Sequence, residues 1–201
     1  MSTDKSYSSI SGQKESRIAF KEWASVVNAL GQGKQVLILR KGGIREEGGE
    51  FQIEYDEFFL FPTYEHQNKS DLKPEIHKDF EESLIKKPAS ELPIRYYVET
   101  AGVIHITDEK ELSRFWPYHV WSEEAVEKRF HFGRAKGLFV IAVRVFEIPT
   151  PHLIRMEPEY SGCKSWVELK RPLSAQGAKP VLSESDFQSR LKLISPALLK
   201  S

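Results

Sequence analysis

The densest run of chemically useful side chains in this sequence joins positive charges to aromatic rings. Residues 128–136 read Lys-Arg-Phe-His-Phe-Gly-Arg-Ala-Lys, and a second basic group, Arg40, Lys41 and Arg45, follows an apolar segment. Basic side chains bind phosphate and aromatic rings stack on bases, so this mixture is typical of a surface that contacts nucleic acid. We predict that such a contact uses Arg40, Lys41, Arg45, Arg129, His131, Arg134 and Lys136.

The same segments also have a purely structural interpretation. Cations near the carboxyl end of a helix are stabilised by the helix dipole, so residues 128–136 equally fit a solvated helix end. Residues 115–121, Phe-Trp-Pro-Tyr-His-Val-Trp, either offer rings for base stacking or form a hydrophobic corner. Both alternatives stay open from the sequence.

A different pattern favours an enzyme. Glu159 precedes Glu168-Leu169-Lys170, an arrangement that resembles the PD-(D/E)XK nuclease core, in which two acids hold magnesium and a lysine positions water. This hypothesis makes Glu159, Glu168 and Lys170 catalytic and Mg²⁺ the cofactor. The first acid is Glu instead of Asp and the spacing is short, so the competing interpretation is a solvated strand face. Without the nuclease hypothesis we predict neither a catalytic residue nor a cofactor.

Arg144 interrupts an otherwise apolar segment, residues 138–148. A buried guanidinium needs a carboxylate or an anionic ligand, because its desolvation is otherwise too costly. Two interpretations follow. Arg144 either forms an internal ion pair, with Glu47, Glu50 or Glu168 as the partner, or lies at the floor of a ligand cleft.

Composition limits the remaining function classes. The chain has 29 Lys and Arg against 29 Asp and Glu, so only a local patch can attract a polyanion. Its six histidines show no metal-ligand spacing, and we predict no metal site from them. Cys163 is the only cysteine, which excludes intramolecular disulfides and fits a reducing compartment. The longest apolar run, residues 138–143, is too short to span a bilayer, and we predict a cytoplasmic protein with no membrane partner.

Apolar periodicity predicts the elements that must position these residues. In the first half it predicts a helix over Arg17–Leu30 and a strand over Val36–Leu39. This strand is expected to pair with a second one over Phe51–Phe61 through the glycine-rich connection, and a further helix runs from Pro74 to Ile85.

The second half reads as two strands or one bent strand over 94–106, then a helix that begins at Ser122 and stops at Gly133. A long strand over Gly137–Ile148 is expected to end at Pro149. Ser183 then caps a helix that ends the fold.

These elements predict an α+β protein, because strands and helices do not alternate as a doubly wound parallel sheet requires. We expect a mostly antiparallel, twisted sheet with four to five flanking helices, and partial closure into a barrel is compatible with the pattern. The expected organisation is a disordered tail over residues 1–14, one domain over 15–173, and a C-terminal tail with one helix over 174–201.

Five short segments together resemble one known family. They are Phe20-Lys21-Glu22-Trp23, Leu39-Arg40-Lys41-Gly42-Gly43-Ile44, Phe61-Pro62-Thr63, Arg129-Phe130-His131-Phe132-Gly133 and Gly162-Cys163-Lys164-Ser165-Trp166-Val167-Glu168-Leu169. Over about residues 17–172 the chain is similar to the domain-of-unknown-function family 1802. The resemblance implies an uncharacterised prokaryotic family linked to restriction-modification, since related sequences occur with an Mrr-type nuclease domain. It assigns no catalytic residue.

Three hypotheses of function follow. The first is a non-catalytic nucleic-acid-binding or accessory module of a restriction or defence-type system, with nucleic acid and a restriction-type nuclease as partners. The second is the magnesium-dependent phosphodiesterase described above. The third is a structural interaction protein with no ligand, in which Arg144 is an internal ion pair.

Overall fold

The computed structural model of the chain describes residues 14–41, 46–47, 50–51, 55–133, 137–162 and 164–194. Its strands are β1 (Glu15–Trp23), β2 (Leu37–Arg40), β3 (Glu46–Glu47), β4 (Glu50–Phe51), β5 (Glu57–Thr63), β6 (Glu91–Ile106), β7 (Leu138–Arg155), β8 (Trp166–Ser174) and β9 (Lys179–Pro180). Its α-helices are α1 (Ala24–Gly31), α2 (His77–Ile85), α3 (Glu123–His131) and α4 (Glu184–Ile194). Single 3₁₀ turns occupy Lys69–Asp71, Pro74–Ile76, Glu109–Arg114, Trp116–Tyr118 and Pro158–Tyr160.

Seven of the strands form one mixed sheet in the order β2-β7-β6-β5-β1-β8, with β9 beside β7. Only β1 and β5 pair in parallel among the described strands, and the other pairs are antiparallel. The predicted α+β class is therefore confirmed. The sheet is open, because its terminal strands β2 and β8 do not pair within the described residues, so the partial closure into a barrel with which the sequence pattern was compatible is not found.

The predicted helix over Arg17–Leu30 is wrong in its first half. Residues up to Trp23 form β1, which lies between β5 and β8, and only Ala24–Gly31 are helical. Ala19 packs into one apolar cluster and Phe20 into another, so both faces of β1 are covered. A strand that is buried on both faces lacks the alternation of polar and apolar residues that identifies a strand. The apolar residues of β1 therefore fitted the spacing expected for the buried side of a helix.

The predicted pairing of the first two strands is also wrong. The segment predicted as Val36–Leu39 becomes β2, which pairs with β7 at the edge of the sheet. The strand that follows the glycine-rich connection, β5, pairs with β1 and β6 instead. Within that connection, β3 and β4 form a two-stranded hairpin of their own.

The long strand does not end at Pro149. β7 continues to Arg155 and pairs with β6 along most of its length. Between the pairs Tyr96↔Glu147 and Ile94↔His152, four residues of β7 oppose one residue of β6. This bulge contains both prolines, whose missing N–H groups would otherwise break the ladder.

The capping predictions are confirmed. The Ser122 hydroxyl accepts a hydrogen bond from Ala125 N at 3.2 Å, and the Ser183 hydroxyl accepts one from Asp186 N at 2.9 Å. These bonds satisfy amide groups that the first helical turn leaves unpaired. They fix the starts of α3 and α4. Two of the predicted nucleic-acid-binding residues, Arg129 and His131, lie in the last turn of α3.

An apolar cluster covers each face of the sheet. One cluster packs the four helices and β2 against the sheet, and α4 contributes Phe187, Leu191 and Ile194 to it. The other cluster fills the opposite face with residues such as Phe59 and Phe61. No helix in the described ranges is long and apolar enough to cross a membrane.

Candidate nucleic-acid interface

Three elements converge where β1 and β2 end and α3 passes over them. We call the residues that meet there the arginine cluster: Glu22, Arg40, Lys41, Trp121 and Arg129. Glu22 comes from β1, Arg40 and Lys41 from the end of β2, and Arg129 from the last turn of α3. β1 and β2 are not neighbours in the sheet. The residues of the arginine cluster therefore meet through their side chains, on the face of the sheet that the helices cover.

Arg40 has an acidic partner. Its Nη2 lies 3.3 Å from Glu22 Oε2, and the same nitrogen donates a hydrogen bond to the carbonyl oxygen of Lys21. The Glu22 side chain is 3% exposed and that of Arg40 is 23% exposed. The guanidinium also lies 4.3 Å from the centre of the Phe20 ring. Arg40 is thus held by β1, and its charge is largely balanced.

Arg129 has no such partner. Its guanidinium carbon lies 3.4 Å from the Trp121 ring centre and 5.9 Å from that of Trp23. It makes no hydrogen bond or ion pair to a described residue. Burial lowers the pKa of Arg129, and Glu22 and Asp71 partly offset this effect through longer-range attraction. An arginine nevertheless stays charged at neutral pH, so an unpaired cation remains in the cluster.

Lys41 reaches toward the same helix. Its Nζ donates to the carbonyl oxygen of Phe130 at 2.6 Å and to that of Gly137 at 3.0 Å. Burial lowers the pKa of Lys41. Lysine binds the free carbonyls at a helix end favourably, so this contact ties β2 to the end of α3 and adds a third cation to the cluster.

Unsatisfied polar atoms surround the cluster. His119 is 3% exposed, and its pKa falls to about 3 because of burial first and then the charge of Lys73, with Arg129 adding to the effect. Backbone groups nearby oppose this shift, but none meets hydrogen-bond geometry. Within the described residues, the buried polar atoms of Arg129's neighbours that make no hydrogen bond are Glu22 Oε2, Arg40 Nε, His119 Nδ1 and Nε2, and Trp121 Nε1.

The structure brings together some of the predicted residues. Arg40, Lys41 and Arg129 meet in the arginine cluster, as the contacts above show. His131 lies apart on the exposed side of α3, where its Nε2 is 2.8 Å from Glu109 Oε1. The remaining predicted residues lie outside the described part of the chain: Arg45, Arg134 and Lys136.

The aromatic segment over residues 115–121 is a hydrophobic corner. Phe115 and Trp121 are each 1% exposed, so their ring faces are closed to a base. Phe132, by contrast, is 73% exposed and follows α3 directly. The sequence pattern did not separate this ring from its buried neighbours, and it did not reveal that Glu22 balances Arg40.

Arg144 lies in an ion pair, as one of its two interpretations predicted, but its partner is Glu184 at 3.0 Å. The predicted partner Glu168 belongs to β8, which three strands separate from β7, while the side chains of Glu47 and Glu50 lie outside the described residues. The Arg144 guanidinium also packs 5.0 Å from the Phe187 ring centre. The cavity beside it has a volume of only about 10 Å³, which leaves no room for a ligand.

The three residues of the nuclease hypothesis are exposed to solvent. Lys170 Nζ lies 2.7 Å from Glu157 and 4.0 Å from Glu159, so its nearest acid is one that the hypothesis did not include. The Glu159 side chain is 66% exposed. No group of three or more acids, histidines or cysteines in the described ranges could hold a metal ion. The ion pair with Glu157 accounts for Lys170 without a metal.

The chain belongs to the family described as Domain of unknown function (DUF1802), whose model matches residues 19–192. Solved structures of ASCH from Zymomonas mobilis are similar in fold. A serine-to-alanine variant has a TM-score of 0.46 at 10% identity, covering 90% of this chain and 99% of the matched chain. The unmodified protein has a TM-score of 0.44 at 10% identity, covering 88% and 94%. No curated protein matches the sequence.

Proposed function

We propose that this member of the DUF1802 family is a non-catalytic module that binds nucleic acid through the arginine cluster. The observation that carries the proposal is the state of Arg129, whose guanidinium carbon lies 3.4 Å from the Trp121 ring centre and which pairs with no acid among the described residues. A partly buried cation that lacks an acceptor gains strongly from an anionic ligand. Phosphate, like carboxylate, binds a guanidinium with two parallel hydrogen bonds.

The surroundings of Arg129 support an anion. Arg40 and Lys41 add two positive charges, whereas Glu22 and Asp71 are the acids of the described residues whose negative charge acts on Arg129. The contact with the Trp121 ring also restricts the guanidinium before a ligand arrives, which lowers the entropy cost of binding. A phosphate would therefore meet a cluster that is positive and already ordered.

We further propose that the module prefers single strands. Phe132 follows the last turn of α3 and exposes most of its ring, so an unstacked base has a ring to stack on. Bases in a duplex are not available for such stacking. Arg45, Arg134 and Lys136 stay predicted members of the same surface.

An accessory role beside a restriction nuclease stays a prediction from the sequence resemblance. Neither the family description nor the matched structures mention restriction or defence. The proposed function therefore concerns nucleic acid alone and includes no catalytic step.

Fluorescence anisotropy with short labelled oligonucleotides, single- and double-stranded, tests the proposal over a range of salt concentrations. We expect salt-sensitive binding, stronger for single strands. Arg129→Gln should weaken it about tenfold and reduce the slope of log K against log salt by about one. Arg144→Gln is the matched control and should leave the affinity unchanged. The proposal would be contradicted if the wild-type protein bound no oligonucleotide at low salt, or if Arg129→Gln and Arg144→Gln lost affinity equally.

A further inference from the structure

A cleft opens on the other face of the sheet, at the end of β1 and β5. Its volume is about 230 Å³, and four separate segments line it. They are the end of β1 with Lys21, the end of β5 with the residues after it, the stretch from Lys87 in the linker after α2 to Leu92 in β6, and the connection between β7 and β8 with Met156 and Tyr160. Side chains alternate along β1, so Lys21 enters this cleft while the next residue, Glu22, belongs to the arginine cluster.

Three aromatic residues, Phe61, Tyr64 and Tyr160, take part in the lining of the cleft. Phe61 and Tyr160 are almost fully buried beneath it, with ring centres 5.8 Å apart. Tyr64 forms a half-buried wall, and burial raises the pKa of its hydroxyl, which therefore stays neutral. Met156 lines the cleft with a 46% exposed side chain. Thioether and ring edges of this kind contact flat aromatic ligands well.

The charges of the cleft favour an anion at its rim. Two lysines, Lys21 and Lys87, line it against one carboxylate, Glu65. Lys21 donates to the carbonyl oxygen of Gly162 at 2.9 Å and is already engaged. Lys87 lies with its Nζ 5.8 Å from the Tyr64 ring centre and has no hydrogen bond or ion pair to a described residue. Its ammonium group is therefore available to a ligand.

The size of the cleft limits that ligand. Sites for drug-sized molecules have volumes of about 300–1,000 Å³, so a cleft of about 230 Å³ suits one ring system and a small substituent. We infer that the cleft binds a single nucleotide unit, with its base against Tyr64 and Met156, above the buried Phe61 and Tyr160, and its phosphate at Lys87. This inference rests on the proposed function, because nucleic acid is the proposed source of the unit.

Met156 gives a direct probe, since the only other methionine in the chain is Met1. The full chain, labelled with ¹³C at the methionine methyl groups, is titrated with nucleoside 5′-monophosphates and followed by NMR. We expect a saturable shift of the Met156 signal, caused by the ring current of the base. Ribose 5-phosphate, which lacks a base, should not reproduce the shift. Lys87→Glu should weaken binding about tenfold or more, because a charged contact is lost.

Lys86→Glu is the matched control. Lys86 is the neighbouring lysine, it pairs with Glu82, and it does not line the cleft. It should leave the titration unchanged. The inference would be overturned if the Met156 signal showed no saturable shift or if ribose 5-phosphate gave an equal shift. Equal losses of affinity in the Lys87→Glu and Lys86→Glu variants would overturn it too. The salt-sensitive oligonucleotide binding lost in Arg129→Gln is measured separately, so failure of the cleft and failure of the proposed function give different results.

Discussion

Arg129 and Arg144 are two partly buried arginines that differ in whether an acid pairs with them. Both guanidinium groups lie against aromatic rings, Trp121 and Phe187 respectively. Arg144 has an acidic partner, Glu184, and a cavity beside it that excludes any ligand. Arg129 has neither an acid nor a hydrogen-bond acceptor within the described residues. Burial of an arginine therefore does not by itself identify a site, and the proposed site rests on the additional absence of an acceptor for Arg129 among the described residues.

The largest expected effect lies in the response of the Arg129 region to acid. The pKa of His119 is lowered to about 3, mainly by burial and then by Lys73, against an ordinary value of 6.5. Between these two pH values the His119 imidazole is protonated in the unfolded chain but neutral in the folded chain. The free energy of unfolding therefore falls as the pH falls below about 6.5. We expect a loss on the order of 2–4 kcal/mol by pH 3.

Urea unfolding at a series of pH values measures this loss. His119→Gln should remove most of the pH dependence between pH 6.5 and 3, whatever its effect on stability at pH 7. His152→Gln is the matched control and should keep the wild-type dependence, because His152 is only partly buried and its Nε2 lies 2.8 Å from the carbonyl oxygen of Ser174. An unchanged slope in His119→Gln would show that the Arg129 region does not oppose added charge.

The second largest expected effect is a difference in unfolding free energy between variants of two acids, Glu22 beside Arg40 and Glu184 beside Arg144. Glu22 is 3% exposed and balances Arg40, whereas Glu184 is 65% exposed beside Arg144. Loss of a buried partner leaves a charge without compensation, so Glu22→Gln should cost about 2–3 kcal/mol of unfolding free energy. Glu184→Gln should cost less than about 1 kcal/mol, since solvent screens the pair. Urea unfolding of both variants measures the difference, and equal costs would remove the distinction between the regions.

The smallest effect concerns stacking without loss of charge. Arg129→Lys keeps the positive charge but loses the planar group that lies on Trp121. We expect oligonucleotide affinity to fall about threefold, as the loss of one cation–π contact suggests. Arg144→Lys should leave the affinity at its wild-type value. A lysine at position 129 with full affinity would mean that charge alone, and not the stacked geometry, matters.

The sequence predicted local features of the fold better than its strand pairing. The caps Ser122 and Ser183 were found because each is satisfied by amides within three residues, which is a local property. The pairing of β2 with β7 was missed because it joins distant segments, and no turn sequence encodes it. β1 was misread because central burial on both faces removes the polar alternation that identifies a strand.

The candidate site shows the same division. The type of residue at Arg40, Lys41 and Arg129 indicated an affinity for anions, and the structure brings these three together. The role of Glu22 and the partner of Arg144 were not predicted, because both depend on which side chains of distant elements meet. The cleft beside Lys21 was missed for the same reason, since its walls come from four separate segments.

The central claim is that Arg129 holds an unpaired guanidinium that accepts a phosphate, while Arg144 does not. NMR of the arginine side-chain Nε–Hε groups during titration with a single-stranded oligonucleotide tests it most directly. We expect the Arg129 signal to shift and saturate in step with binding, while the Arg144 signal stays in place. An unmoved Arg129 signal in protein that is saturated with oligonucleotide would contradict the account.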